Sequence, residues 1–475
     1  MLRFLLDPVG YMAPLHKAHG KVVPFARGGA GPVLMREASE AAFAFGAENA
    51  QAVYTQMGVF HSTRIPGPPE SPSFARLTSG LFNMNEGKHR QQRRLIQPAF
   101  HRQRLEGYHR TMVDYTERAI ATWKAGDAVD VLAAMTALTL SVADRALFGR
   151  EPSPGALSLG QQIQQVVELS IHPGALLPIN LPFTPRRRLV ETAARTEAAL
   201  RALIAEKRAR APGAEGVPGE SQSGESQLGR APAGDDDVLA TLIATRDEEG
   251  GALTEDELIG QIFILFFAGH DTTKTAAAWT LFLLAQHPEV LGSLVEELTC
   301  ELRGGAPRGD QIGRLPLLDR VIKESLRLFP PAPFTGRLTT QPTLLSGVEV
   351  PENVELLISP YCLHRDEDLY ASPLRFAPER WESLAPSPFE YTPFGAGPRM
   401  CIGAGFATLE LKIVLSILLQ RFTFELPAKA QVDRKTGLVM APKGGLRMVL
   451  REAGARPARS EVRGNVREMV ELPAR

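Results

Sequence analysis

Residues 394–403 read Phe-Gly-Ala-Gly-Pro-Arg-Met-Cys-Ile-Gly, and an amphipathic stretch follows from Gly403 to Phe422, with Phe406, Leu409, Ile413 and Ile417 at three- and four-residue steps. This junction constrains the fold more than any other feature of the chain. Glycines in so tight a run let the backbone approach a partner closely. Cys401 then stands where the next helix begins, and a helix N-terminus presents free N–H groups and positive potential. That setting favours thiolate over thiol, and Arg399 adds a nearby positive charge. The residues describe a thiolate in a cradle of amides, available as a nucleophile or as a metal ligand. Cys300 and Cys362 lack such surroundings and are expected to be buried and inert. The three cysteines form no Cys-x-x-Cys, which argues against a zinc ribbon, an iron–sulfur cluster or a disulfide scaffold and suits a reducing compartment.

The longest helical stretch opens at the capping-box pair Thr254 and Glu257 and runs to about His287. Its middle reads Ala268-Gly-His-Asp-Thr272-Thr273. Glycine inside a helix costs about 1 kcal/mol relative to alanine. An aspartate next to Phe266, Phe267 and Ala268 is expensive to bury without a partner. The Thr272 hydroxyl can bond the carbonyl of Ala268 in competition with the helical ladder. We expect a local opening that holds water beside an acid and a hydroxyl. The apolar neighbours Ala276–Trp279 and Leu281–Ala285 speak against a solvated face.

Other patterns are weaker alone. Glu324 and Arg327 share a face of the helix Leu317–Leu328, which Pro330 and Pro331 end. Arg380 lies in Pro-Glu-Arg-Trp381, and His89 and Arg93 stand four apart in the basic run GKHRQQRRLIQPAF. His364-Arg-Asp366 imitates a kinase catalytic loop, but Ala371 stands where its Asn belongs and no Asp-Phe-Gly follows. No Walker A sequence and no Gly-x-Ser-x-Gly is present.

Around these motifs, Lys21–Phe25 and Pro32–Met35 read as β-prone, beside an Ala-rich amphipathic segment. Gly58–Gly80 reads as a long loop, and residues 86–212 as mostly helical. The interruption at His172–Pro185 is unusually apolar: either a loop packed on the core or a lip for substrate access or membrane contact. Residues 212–237 are poor in apolar residues and read as a flexible surface insertion. A helix follows at Pro288–Leu302, short strands at 334–360, and a charged tail, expected to be loosely held, at 452–475. Lys plus Arg and Asp plus Glu both number 53, so the formal net charge is zero, which argues against a generally basic nucleic-acid binder. The longest apolar run noted, Ile262–Ala268, is far short of the roughly 20 residues a bilayer requires. No membrane span is expected.

In order and spacing, from about residue 20 to 450, these features resemble the cytochrome P450 superfamily of haem-thiolate monooxygenases. The Cys401 run fits the family's F-G-x-G-x-R-x-C-x-G signature, AGHDTT fits its oxygen-activation helix, and Glu324, Arg327 and Arg380 fit its E-x-x-R network. The resemblance implies a mainly α fold with a small β-rich lobe, as a single domain over 1–475. Haem b (iron protoporphyrin IX) would lie between the long central helix and the cysteine loop with its following helix. Cys401 would be the axial ligand, Phe394 would shield its sulfur, and Gly395 and Gly403 would allow close approach. His89 (where many relatives have Trp), Arg93, Arg337 and Arg399 would hold the propionates. Asp271 and Thr272 would relay protons for dioxygen cleavage.

The family's substrate regions fall on Phe263, Phe267, Ala268, Ala332, Phe334 and the pair Val439–Met440, which implies a hydrophobic substrate. The motif wording looks closest to families that oxidise fatty acids and other lipids. With no fused flavin or ferredoxin module visible, electrons would come from an acidic ferredoxin or flavodoxin with its reductase, docking on Arg90, Arg94, Arg102 and Arg104. The expected enzyme is a cytoplasmic monomer. A peroxygenase or O2-independent isomerase on the same haem, and a non-enzymatic haem binder, are the alternatives. The retained acid–alcohol pair favours the monooxygenase.

Overall fold

The structure, a computed structural model, describes residues 2–27, 38–63, 65, 67–151, 157–210 and 237–472. The β-prone Pro32–Met35 and all of the 212–237 insertion except Asp237 lie outside the described residues. The chain divides into two compact units. One comprises residues 1–61, 109–139 and 271–475; the other comprises 62–108 and 140–270.

The first unit carries the sheets. Its five-stranded sheet has the order Val22–Arg27, Glu40–Ala44, Val354–Ile358, Thr335–Thr339 and Phe60–His61. Glu40–Ala44 runs parallel to Val354–Ile358, with Phe43 opposite Leu357; the other pairings are antiparallel. The Ala-rich segment is thus a strand before it is a helix, Ala47–Thr55. Alanine is a poor strand former, but here both edges are paired and the small side chains pack in the apolar core with Val53, Tyr54, Phe60 and Leu356. A three-stranded sheet joins Ala128–Asp130, Arg447–Glu452 and Phe422–Glu425.

The helices of this unit obey their local signals. Pro288–Leu302 and Pro316–Leu328 both start on a proline, which gives up a donor the first turn does not use. The helix Ala404–Arg421 follows the cysteine loop. The tail is held rather than loose: Val466 and Met469 are fully buried, and Val462 and Val470 nearly so.

The second unit is helical. Pro72–Leu77 interrupts what the sequence suggested was a loop at 58–80. The Ser71 hydroxyl accepts from Phe74 N at 3.2 Å, so the helix is built from the very Ser/Pro content that reads as loop. Gly80 meets Gly260 so closely that a Cβ on Gly80 would stand 2.5 Å from the Gly260 carbonyl oxygen. Gln261 fixes the same crossing, accepting from Leu81 N at 3.0 Å and donating to Gln92 at 3.1 Å. The 26-residue helix Pro185–Arg210 is tied by bidentate pairs, Arg186 to Glu70 and Arg76 to Glu197. Asp237 caps Val238–Ala244 and takes the buried Lys207 ammonium at 2.6 Å.

At 172–185 the apolar side chains of Leu177, Ile179, Leu181 and Phe183 do not pack on the core; they face solvent, Phe183 at 96% exposure. One helix among the described residues, Val131–Phe148, is long and apolar enough to cross a bilayer, a feature the sequence reading passed over; 56% of that window is buried within the protein.

The long helix, Glu255–Gln286, opens on the expected box: Thr254 N donates to Glu257 at 3.0 Å and Glu257 N to Thr254 Oγ1 at 3.3 Å. It continues as α-helix through Ala268–Thr273, so the expected opening does not break it. Fully packed residues from Ala276 to Ala285 on the C-terminal side hold the ladder in register.

Candidate functional site

The cysteine loop is set by two left-handed glycines. Gly395 has φ 68° and Gly397 φ 65°, conformations costly for any residue with a Cβ. A Cβ on Gly397 would also stand 2.5 Å from the Tyr54 carbonyl oxygen. The turn closes with Cys401 N donating to the Phe394 carbonyl at 2.8 Å and Met400 N to Gly397 at 3.0 Å. Ala396 anchors it in the apolar core. Helix Ala404–Arg421 starts three residues after Cys401, whose residue is exposed. Gly403, with φ −90°, sits at the N-cap and needs no special backbone freedom.

The other cysteines divide. Cys362 is buried, and desolvation pushes its thiol up to about 11, which makes it inert. Cys300 is exposed, contrary to the expectation of burial, because it falls on the outer face of Pro288–Leu302.

Behind the loop lies a charged network without solvent. Glu324 and Arg327 have no exposed side-chain surface. Arg327 donates Nε and Nη2 to the two Glu324 oxygens, both at 2.8 Å. Arg380 Nε, Trp381 Nε1 and Ala377 N each donate to Glu324 at 3.0 Å. The rest of the Arg327 guanidinium donates to the carbonyls of His364, Pro373 and Arg375.

His364, which had looked like part of a kinase decoy, belongs here. Its Nε2 accepts from Thr392 N at 2.8 Å, and its Nδ1 lies 3.2 Å from the Arg327 carbonyl, so those partners assign a neutral ring with the proton on Nδ1. Burial and the neighbouring guanidinium hold its pKa well below the usual value. This strut joins the Glu324 helix to the irregular segment leading into the cysteine loop. Trp381 and His364 are the site residues that sequence reasoning missed; the former stands beside Arg380 in the motif, but nothing local marks the latter.

Arg337 is the clearest sign of a ligand. Its side chain is buried on the strand Thr335–Thr339, and Nη1 donates to Thr335 Oγ1 at 3.0 Å and to the Gly336 carbonyl at 2.7 Å. Burial lowers its pKa, and the charge acting against that comes from Tyr54 rather than a carboxylate. A buried cation without a carboxylate loses several kcal/mol, roughly what a bound anion restores. With a cysteine on a glycine turn in the same unit, the donor set fits a carboxylate-bearing ligand with a thiophilic metal. Arg399 is half-buried on the turn Gly397–Arg399. In the second unit, His89 is buried and Arg93 half-buried on one face of the helix Glu86–Ile96; Arg90, Arg94 and Arg102 are exposed and Arg104 half-buried.

Asp271 and Thr272 are half-buried on the first unit's part of the long helix. Lys274 Nζ lies 2.5 Å from Asp271 Oδ1, and Thr275 Oγ1 donates to the Asp271 carbonyl at 2.9 Å. Thr273 is buried and bonds Glu410 of the cysteine helix. Burial raises that carboxyl to about 8.

Two of the residues expected at the substrate are fully packed. Met440 is fully buried, its N donating to the Pro331 carbonyl and its own carbonyl accepting from Trp279 Nε1, both at 2.9 Å. Phe263 is buried within the second unit. Phe267, Ala268 and Phe334 are half-buried and Ala332 is exposed.

Comparison with known proteins identifies the family and the fold. A family model described as Cytochrome P450 matches residues 10–448. Cyclooctatin synthase of Streptomyces melanosporofaciens is 34% identical over 392 residues, covering 81% of each chain. Pentalenene oxygenase of Streptomyces avermitilis is 31% identical, covering 74% of this chain and 76% of its own. Among solved structures, retinoic acid bound cyanobacterial CYP120A1 superposes with a TM-score of 0.77 at 25% identity, over 94% of this chain and 95% of that one.

Proposed function

The chain belongs to the cytochrome P450 family, and from that membership we propose that it hydroxylates a cyclic hydrocarbon of the terpenoid class using electrons from a separate redox protein. The family's enzymes are monooxygenases that use haem b and take hydrophobic substrates. Haem bound through a thiolate supplies the activation of dioxygen. Cys401 is the proposed axial ligand, and the observation that carries this reading is its place on the left-handed glycine turn in the same unit as the uncompensated Arg337. Phe394 is proposed to shield the sulfur, and Arg337, Arg399, His89 and Arg93 to receive the propionates by charge-assisted bonds. Glu324, Arg327 and Arg380 hold the loop's support. Asp271 takes up a proton and passes it to the Thr272 hydroxyl as that hydroxyl gives up its own. Nothing else in the apolar middle of the long helix carries such a pair.

The substrate class is redirected from the fatty acids suggested by the motif wording. Relatives named cyclooctatin synthase, pentalenene oxygenase and cyclooctat-9-en-7-ol 5-monooxygenase support rings rather than chains. Phe267, Ala268, Ala332 and Phe334 remain the proposed contacts. We read residues 1–475 as one catalytic unit, monomeric and cytoplasmic, reduced by a ferredoxin or flavodoxin with its reductase.

The test combines a screen of substrate-induced haem spectral shifts with Thr272→Ala. Cyclic terpenoids are expected to give tighter shifts than fatty acids. The variant is expected to consume electrons, release peroxide and lose product. Unchanged coupling of electrons to product in Thr272→Ala contradicts the monooxygenase relay and supports a peroxygenase or isomerase.

A further inference from the structure

Beyond its first turn, the 32-residue helix Glu255–Gln286 carries one acid and one lysine, and they are paired. Lys274 is the sole Lys or Arg in the helix, and Asp271 the sole Asp or Glu after Glu257. They stand three apart with the acid first, the order that also suits the helix dipole. The pair is sheltered: the Lys274 side chain keeps 13% of its exposure and Asp271 20%. By contrast, the lysine of the Lys88–Glu257 pair near the start of the same helix is 61% exposed. Charges that far out of water are costly unless each meets the other. Pinning a lysine stem also costs about 2 kcal/mol of rotamer freedom, which a chance surface pair does not recover. The Thr275 hydroxyl donates to the Asp271 main-chain carbonyl at 2.9 Å, which leaves the carboxylate to Lys274.

We propose that Lys274 is a positioning residue for the acid of the proton relay. The inference rests on the reading of Asp271 and Thr272 given above. The ammonium holds the Asp271 carboxylate in one rotamer between turnovers. The carboxylate then takes a proton from solvent, passes it to the Thr272 hydroxyl as that hydroxyl gives up its own, and returns to the same rotamer. A wandering carboxylate delivers its proton late, and electrons leave as peroxide.

The experiment uses holoenzyme of Lys274→Met, Lys274→Arg, Asp271→Asn and the double variant Asp271→Asn/Lys274→Met. Urea unfolding reads the pair itself: the double variant is expected to lose less stability than the sum of the two single ones. Turnover reads the role: Lys274→Met is expected to lower product per electron pair by about tenfold, and Lys274→Arg to restore it to within about twofold. Substrate-induced spectral shifts and the carbon-monoxide spectrum should stay as in the parent, which separates positioning from a general structural loss. If Asp271→Asn uncouples the enzyme while Lys274→Met couples like the parent, the inference fails and the relay stands. Additive losses in urea also overturn it. If Asp271→Asn leaves coupling unchanged, the relay itself fails.

Discussion

Replacing Glu324 by Ala should remove a large part of the protein's stability, and the structure sets the size. Glu324 accepts five hydrogen bonds: two from Arg327 and one each from Arg380, Trp381 and Ala377 N. Neither Glu324 nor Arg327 has exposed side-chain surface. Truncating the acid leaves the Arg327 guanidinium buried without its counter-charge, at a cost of about 3–5 kcal/mol. The indole and amide donors left without an acceptor add about 1 kcal/mol. Against a total of roughly 5–15 kcal/mol, this is about a quarter or more of what holds the fold. With a urea slope near 3 kcal/mol per molar, the unfolding midpoint should fall by about 1.5 M, read by circular dichroism and tryptophan fluorescence. Haem retention should fall with it, since His364 passes the strain to Thr392 ahead of the cysteine loop. The double variant Glu324→Gln/Arg327→Met, which removes both charges, should lose less than the sum of the two single changes. A midpoint shift below about 0.3 M for Glu324→Ala would refute the reasoning, because it would mean that Arg327 finds water or another anion.

Other expectations concern ionisation and docking. Burial raises the Glu410 carboxyl to about 8 and that of Asp144 to about 6. Both are raised carboxyls, so the folded state binds the proton more tightly than the unfolded one. Their contribution is therefore complete at acid pH and is lost as pH rises, for Glu410 through pH 8, at up to about 1.4 kcal/mol per pH unit for each group. Glu410→Gln should flatten unfolding free energy between about pH 5 and 8 and be the more stable protein at the upper end; a parallel profile would contradict the assigned burial cost. Reversing Arg90 and Arg94 to Glu should slow reduction by an acidic ferredoxin roughly tenfold at low salt and leave little difference at high salt. Salt-independent reduction in both proteins would remove the basic docking face.

What was legible depended on how local the cause was. The Thr254 box, the start at Pro288, the Leu317–Leu328 helix ended by Pro330, and the helix after Cys401 rest on neighbours within a turn, and their helices lie where the sequence indicates. Glu40–Ala44 was hidden because its strand character comes from pairing on both edges, one partner being more than 300 residues away. Pro72–Leu77 was hidden because a six-residue helix has no periodicity to detect. At the site, Cys401, Glu324, Arg327 and Arg380 announce themselves by motif. His364 does not, since its partners Arg327 and Thr392 are 37 and 28 residues distant. The uncompensated charge of Arg337 is also invisible in sequence, because it is a property of what surrounds the side chain in space. Met440 and Phe263 show the converse limit: an apolar residue in a substrate-bearing region reads the same whether it faces a ligand or the core.

The central claim is that the Cys401 sulfur ligates the haem iron, and the carbon-monoxide adduct of the reduced holoenzyme tests it most directly. The account predicts the red-shifted Soret band that a thiolate opposite carbon monoxide produces, and its loss in Cys401→Ser, while Cys300→Ser and Cys362→Ser keep it. An unaltered band in Cys401→Ser, or a parent protein that binds hemin without that band, would contradict it.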